Sequence, residues 1–203
     1  MSFYMGLKKV LGGFLRHCFY RCTVEGIENI PEKGRVLVCS NHISLHDPIA
    51  IAAASGRQIC YMGKKELFGI PVFGSFLRSL GAFPVDRKSG GDVSAIRHSI
   101  SLLEKENAVG IFPQGTRHPG VDPKGTPIQK GAGMLVDKTS AMVVPVCIVT
   151  KKNKITPFFT KVLIRVGKPV TADELRDGTE NMSNNEKYSE ISKKIFEKIL
   201  ELR

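Results

Sequence analysis

The chain has 203 residues, with 30 Lys and Arg against 19 Asp and Glu, a formal charge of +11. At 42% hydrophobic and 24% charged, its composition is that of a globular domain with a sizeable core, which excludes disordered and fibrous classes. Its longest run without Asp, Glu, Lys or Arg is the twelve residues Thr139 to Thr150, too short for a spanning helix of roughly 18 or more.

In chain order, the first element is an amphipathic helix. Phe3, Leu7, Val10, Leu11, Phe14, Leu15 and Cys18 recur at intervals of three and four, with Lys8, Lys9 and Arg16 among them and Gly12-Gly13 weakening the middle. Such a helix either packs on the domain's own core or lies in a membrane interface. It lacks the uninterrupted apolar run of a signal sequence, and five cysteines without a CxxC pair fit a reducing compartment.

Short apolar or β-branched runs then predict strands at Arg35–Cys39, Gln58–Met62, Ala82–Val85, Val109–Phe112, Met142–Val149 and Lys161–Val166. Between them, Pro48–Ser55 reads as a helix with Asp47 at its N-cap and Pro48 at N1. Asp92–Asn107 and Gly131–Thr139 read as further helices. Thr171 with Glu174, and Ser183 with Glu186, have capping-box spacing. The second box opens a terminal helix whose apolar face is Tyr188, Ile191, Ile195 and Ile199. The alternation predicts one α/β domain over residues 22–203, a mostly parallel or mixed sheet flanked by helices, preceded by the amphipathic helix of residues 1–21.

The charge is uneven. Residues 1–21 and 151–170 contain bases and no acids, whereas the last 33 residues are slightly acidic. A basic surface attracts nucleic acid, anionic lipid or a small phosphate. No zinc-finger spacing, RNP-like aromatic motif or helix-turn-helix accompanies it, so nucleic acid is not an expected partner.

In an open α/β sheet the chemistry sits in loops at strand ends. The first such loop is Ser40-Asn41-His42-Ile43-Ser44-Leu45-His46-Asp47-Pro48. Across a turn, Asp47 can reach the His42 imidazole and fix its tautomer, the base-and-orienter half of a catalytic triad; the alternative is that Asp47 only caps the next helix. Cys39 and Ser44 are poor nucleophiles, one ending a buried strand and the other without elbow glycines, so a base would act on a substrate hydroxyl. The second loop is Phe112-Pro113-Gln114-Gly115-Thr116-Arg117. Gly115 lets backbone N–H groups approach a ligand, Thr116 brings a hydroxyl and Arg117 a planar fork suited to phosphate. The third, Gly81-Ala82-Phe83-Pro84-Val85-Asp86-Arg87, ends in an acid-base pair that also reads as a surface ion pair.

In this order the motifs resemble those of the 1-acylglycerol-3-phosphate acyltransferase family of glycerolipid acyltransferases. Asn41, His42 and Asp47 match its Asn-His-x4-Asp block, and Gly81, Asp86 and Arg87 its Gly-x4-Asp-Arg block. Residues 112–117 match Phe-Pro-Glu-Gly-Thr-Arg at five of six positions, and Val144-Pro145-Val146 a Val-Pro-Val block. Lys64-Lys65-Glu66-Leu67-Phe68 is similar to a further family stretch. The resemblance implies that His42, held by Asp47, deprotonates the free hydroxyl of a lysophospholipid, which attacks acyl-CoA or acyl-acyl-carrier protein without an acyl-enzyme. It implies that Arg117, Arg87 and Lys64, with Gly115 and Thr116, hold the acceptor phosphate, and that no metal or other cofactor takes part. Lysophosphatidic acid and an anionic bilayer are the expected partners, at the cytoplasmic face of a membrane that the chain does not cross. Gln114 stands where the family usually has Glu. With Asn41 it is expected to orient the acceptor, and the substitution makes another lyso-lipid headgroup the alternative to lysophosphatidic acid. His46 is treated as a bystander.

Overall fold

Valine- and isoleucine-rich runs covered on both faces are the mark of a sheet with helices on either side. The computed structural model describes residues 21–85, 93–155 and 160–203. Its seven strands are β1 (Cys22–Glu25), β2 (Val36–Ser40), β3 (Ile59–Lys64), β4 (Phe83–Val85), β5 (Ala108–Ile111), β6 (Met142–Val149) and β7 (Val162–Val166). They form one sheet in the order β1-β7-β6-β2-β5-β3-β4. Every pairing is parallel except β6 with β7, so the sheet is mixed. The six expected strands are present with ends moved by up to two residues, and β6 has the expected bounds. The sequence reading misses β1, a four-residue edge strand whose partner lies 140 positions away, Cys22 opposite Val162. The amphipathic helix expected over residues 1–21 and the Asp86–Arg87 pair lie outside the described residues, apart from Arg21.

Side chains alternate between the two faces of the sheet, with the period of two that a pleated strand imposes. Val36, Val38, Ile59, Tyr61, Val144 and Val146 face one side, where they meet Ala50 and Ile51 of α1 (Asp47–Ala54). Leu37, Cys39, Val109, Val143 and Cys147 face the other. There they meet α3 (Val93–Glu104), α4 (Gly131–Thr139) and α6 (Asn184–Leu200), through Leu103, Leu135, Val136, Ile191 and Ile195. The remaining helices are α2 (Phe73–Ser79) and α5 (Ala172–Arg176). Strand β2 lies mid-sheet with all five residues buried, so the loop it feeds is anchored on both sides.

Both capping boxes form: Thr171 Oγ1 accepts from Glu174 N–H, Ser183 Oγ from Glu186 N–H, and each glutamate returns a bond to its cap. These bonds hold both glutamate carboxyls below their usual range. The expected face of α6 is buried as Tyr188, Ile191, Ile195 and Ile199, extended by Ser192 and Phe196.

Helix α4 packs against α6 at Gly133. A Cβ there would overlap the carbonyl oxygen of Tyr188, and the Gly133 N–H donates to Ser192 Oγ at 2.8 Å. Alanine improves on glycine by about 1 kcal/mol in an open helix, whereas forcing a methyl into a full interface costs about 1–3 kcal/mol or more. The obstacle is backbone, which cannot swing aside. Gly133→Ala is therefore expected to destabilise the domain, read as a lower urea midpoint with unchanged slope; equal or greater stability would contradict the close approach.

Candidate active site

The site is built where β2 and β5 run side by side. Cys39 is in register with Ile111, so the loops after these two strands leave the same edge of the sheet as neighbours. On the opposite flank of β2, the main-chain ladder to β6 ends at Ser40 and Val146. Asn41 continues it with its side chain, which is 1% exposed as a residue: Nδ2 donates to the Ile148 carbonyl at 3.0 Å and Oδ1 accepts the Ile148 N–H at 2.7 Å. An amide matches a peptide group donor for acceptor, so this clamp locks the residue before His42.

Asp47 provides the second constraint. Its Oδ2 accepts from His42 Nδ1 at 2.8 Å, Ile43 N–H at 2.7 Å and Ser44 N–H at 2.8 Å. Asp47 is fully buried and His42 only 8% exposed. The expected N-cap role for Asp47 is corrected: α1 begins at Asp47, His46 occupies the cap position with its side chain turned to Ser44 Oγ at 3.2 Å instead of capping the helix, and Pro48 is the second residue. The carboxylate turns back to N–H groups upstream instead of forward to those of the helix. Because the acceptor is a carboxylate, Nδ1 carries the imidazole proton and Nε2 presents a lone pair. An imidazole in this state can take a proton from a hydroxyl brought against it.

The loop after β5 holds the same residue from the other side. Gln114 Oε1 accepts the His42 N–H at 2.6 Å, and His118 N–H donates to the His42 carbonyl at 2.9 Å. Phe112 stacks on the His42 ring with centroids 3.9 Å apart, and Tyr61 of β3 stacks behind Phe112 at 5.7 Å. Phe112, His118 and Ile148 were not singled out as site residues for themselves. The first lay in plain view as the opening residue of a motif; the others act through backbone atoms, which leave no residue-type signal.

The remaining expected residues divide. Arg117 is exposed, and its guanidinium makes no hydrogen bond or ion pair among the described residues. Its charge reaches His46, whose imidazole is held below the usual range chiefly by burial, with Asp47 opposing and Arg117 reinforcing. Gly115 has φ of 72° and gives its N–H to the Phe112 carbonyl at 2.9 Å, closing the turn that presents Arg117. That N–H is therefore spent within the loop. The Thr116 hydroxyl lies 3.2 Å from His118 Nε2. Lys64, at the end of β3 on the same sheet edge, forms an exposed ion pair with Glu66 at 3.4 Å. Arg87 lies outside the described residues. Asn41 and Gln114, expected to orient the acceptor, are both buried with their amide groups bonded to the protein. Cys39 faces the opposite side of the sheet, and burial raises its thiol far above the usual range, as it raises Cys147 to about 11.

The sheet thus brings a buried His–Asp pair and an arginine without a partner among the described residues to adjacent strand ends, the arrangement of a general base beside an anion contact. Residues 21–149 match the acyltransferase family. The chain is 38% identical over 119 residues to the 1-acyl-sn-glycerol-3-phosphate acyltransferase of Bacillus subtilis, covering 58% of this chain and 57% of that one. It is 30% identical over 186 residues to the enzyme of that name from Helicobacter pylori, covering 90% of this chain and 77% of the relative. The crystal structure of the 1-acyl-sn-glycerophosphate acyltransferase from Thermotoga maritima superposes with a TM-score of 0.69 at 26% identity, covering 98% of this chain and 78% of that chain. The chain belongs to the acyltransferase family, among the glycerolipid acyltransferases that include the 1-acyl-sn-glycerol-3-phosphate enzymes.

The Asn41 clamp makes a stability prediction separate from chemistry. Asn41→Ala leaves a buried N–H and a buried C=O of Ile148 unpaired, each worth about 1–3 kcal/mol. A loss of at least about 2 kcal/mol is expected in urea unfolding. A near-neutral substitution would show that the clamp contributes nothing to holding the loop.

Proposed function

We propose that this protein transfers a fatty acyl group from an acyl thioester, acyl-CoA or acyl-acyl-carrier protein, to the free hydroxyl of 1-acyl-sn-glycerol-3-phosphate, giving phosphatidic acid. The observation that carries the reading is the His42 Nδ1 to Asp47 Oδ2 bond of 2.8 Å, which leaves Nε2 as a base in the same loop cluster as the unpaired Arg117. Relatives named for this reaction support it.

In the step as written, Nε2 of His42 accepts the hydroxyl proton while the acceptor oxygen bonds to the thioester carbon. The tetrahedral intermediate collapses with cleavage of the C–S bond, and the departing thiolate takes the proton from the His42 imidazolium. An ester and a thiol result, and the step balances without a protein nucleophile, metal or other cofactor. Asp47 keeps the imidazole oriented and stabilises its charged form, as its counterpart does in a triad. Arg117, with Lys64 and Arg87 and the turn of Gly115 and Thr116, holds the acceptor phosphate, converting binding energy into orientation. Because the Gln114 amide is committed inside the protein, it gives no reason to expect another headgroup.

Both lipids of this reaction reside in a bilayer, and the reading places the protein on the cytoplasmic face of a membrane as a monotopic enzyme, with residues 1–21 as its interfacial helix. Among the described residues no helix is long and apolar enough to cross a membrane. Large apolar side chains nevertheless stand in solvent: Leu45, 52% exposed, within the His42–Asp47 loop, Ile70 and Val72 before α2, and Phe73 at its start. Val72 is 85% exposed at φ 64°, ψ −51°, in a tight turn closed by Phe73 N–H to the Pro71 carbonyl at 2.7 Å. A β-branched residue in that region is strained, and its apolar side chain stands outward, where lipid would receive it.

His42→Ala is expected to lower turnover at least about 10²-fold in a thiol-release assay without unfolding the protein; wild-type activity would exclude His42 as the base. Arg117→Ala is expected to raise KM for the lyso-lipid, and a change confined to the acyl-donor KM would remove Arg117 from the phosphate site. Deleting residues 1–20 is expected to release the protein from anionic vesicles, whereas undiminished sedimentation with them would refute the interfacial helix.

A further inference from the structure

The bonds around Gln114 have directions, and those directions call for one acceptor and one donor, which an amide supplies without charge. Thr126 donates both its N–H and its hydroxyl to the Pro123 carbonyl, at 3.1 and 2.7 Å. A hydroxyl has one proton, so toward Gln114 the Thr126 oxygen can only accept. Gln114 Nε2 meets it as a donor at 2.7 Å, while Oε1 accepts the His42 N–H at 2.6 Å. Gln114 is 1% exposed and Thr126 is buried, so no solvent exchange relaxes these roles. An ionised carboxylate at position 114 would serve His42 equally well. Toward Thr126 it would set acceptor against acceptor, or draw the hydroxyl proton away from Pro123.

We infer that Gln114 and Thr126 are positioning residues, an uncharged clasp that carries the His42 peptide on the turn at residues 122–126 and sets the geometry and protonation of the base instead of selecting the acceptor. The clasp rests on the acyl-transfer reading only in assigning His42 its task. The titratable or charged groups that the described contacts bring to His42 are Asp47 at the start of α1, His46 before it, and Arg117 and His118 from the loop after β5. From β6 comes the backbone of Ile148, next to the clamped Asn41. Asp47 is the single negative group among them. A second carboxylate against the His42 N–H would favour the imidazolium, so the free base would be reached only at higher pH.

The test compares wild type, Thr126→Val, Thr126→Ser and Gln114→Glu by thiol release across pH, with lysophosphatidic acid, lysophosphatidylglycerol and lysophosphatidylcholine as acceptors. Thr126→Val removes the acceptor of the Gln114 amide and is expected to lower kcat by about 10-fold or more with the lyso-lipid KM unchanged. Thr126→Ser keeps the hydroxyl and restores kcat. Gln114→Glu is expected to move the acid limb of the rate profile up by about one pH unit, with the ranking of the three acceptors as in wild type. Wild-type kcat in Thr126→Val, an unmoved acid limb in Gln114→Glu, or an altered acceptor ranking would each overturn the clasp. NMR titration of the His42 ring in substrate-free protein, its midpoint rising in Gln114→Glu, reads the same effect without turnover. A wild type that released no thiol with any acceptor would remove the acyl-transfer reading, while the titration would still decide on the clasp.

Discussion

A single carboxylate oxygen governs the shape of the reactive loop. Asp47 Oδ2 gathers the His42 ring N–H and the backbone N–H groups of Ile43 and Ser44, all within 2.8 Å. A loop leaving a fully buried strand must satisfy its N–H groups somewhere, because an unpaired buried donor is expensive. Here the donors are met by a side chain three to five residues ahead in the sequence. The bonds that close the turn thus also aim the imidazole, and local folding and tautomer control share one atom.

Around that turn, His42 is held at every polar atom of its main chain by the loop that also carries Arg117. Its N–H goes to Gln114, its carbonyl to His118, and its ring lies on Phe112. The motif that looks in sequence like a phosphate loop is therefore equally the cradle of His42. The adjacency comes from the sheet: β2 and β5 are parallel neighbours, so both loops emerge at one edge. A small residue in β5 makes room for the arrangement, because a Cβ on Gly110 would overlap the ring of Tyr61, which stacks behind Phe112.

The legible parts of this structure are those written in short-range pattern. The bounds of β6 and α4, both capping boxes and the buried stripe of α6 follow from periodicity and from residues three apart. Strand β1 escaped because four residues with a partner 140 positions away carry too little pattern. Asp47 was expected at an N-cap because Asp-Pro before an apolar run favours that reading locally, and tertiary demand from the upstream loop took the carboxylate instead. The His42–Asp47 pair was readable as one of two options. What escaped was the use of Asn41 and Gln114, since Ile148 and the His42 peptide lie 107 and 72 positions away and are met through backbone atoms.

The bond from Asn41 to Ile148 spans 107 residues, and that from His42 to Gln114 spans 72. Closing loops of this length costs chain entropy before the contacts they allow can repay it. A nascent chain that has not yet delivered β6 already holds the whole His42–Asp47 motif in its sequence, but lacks the rung that fixes its first residue. The rung that fixes Asn41, next to the His42–Asp47 pair, is thereby tied to completion of the sheet.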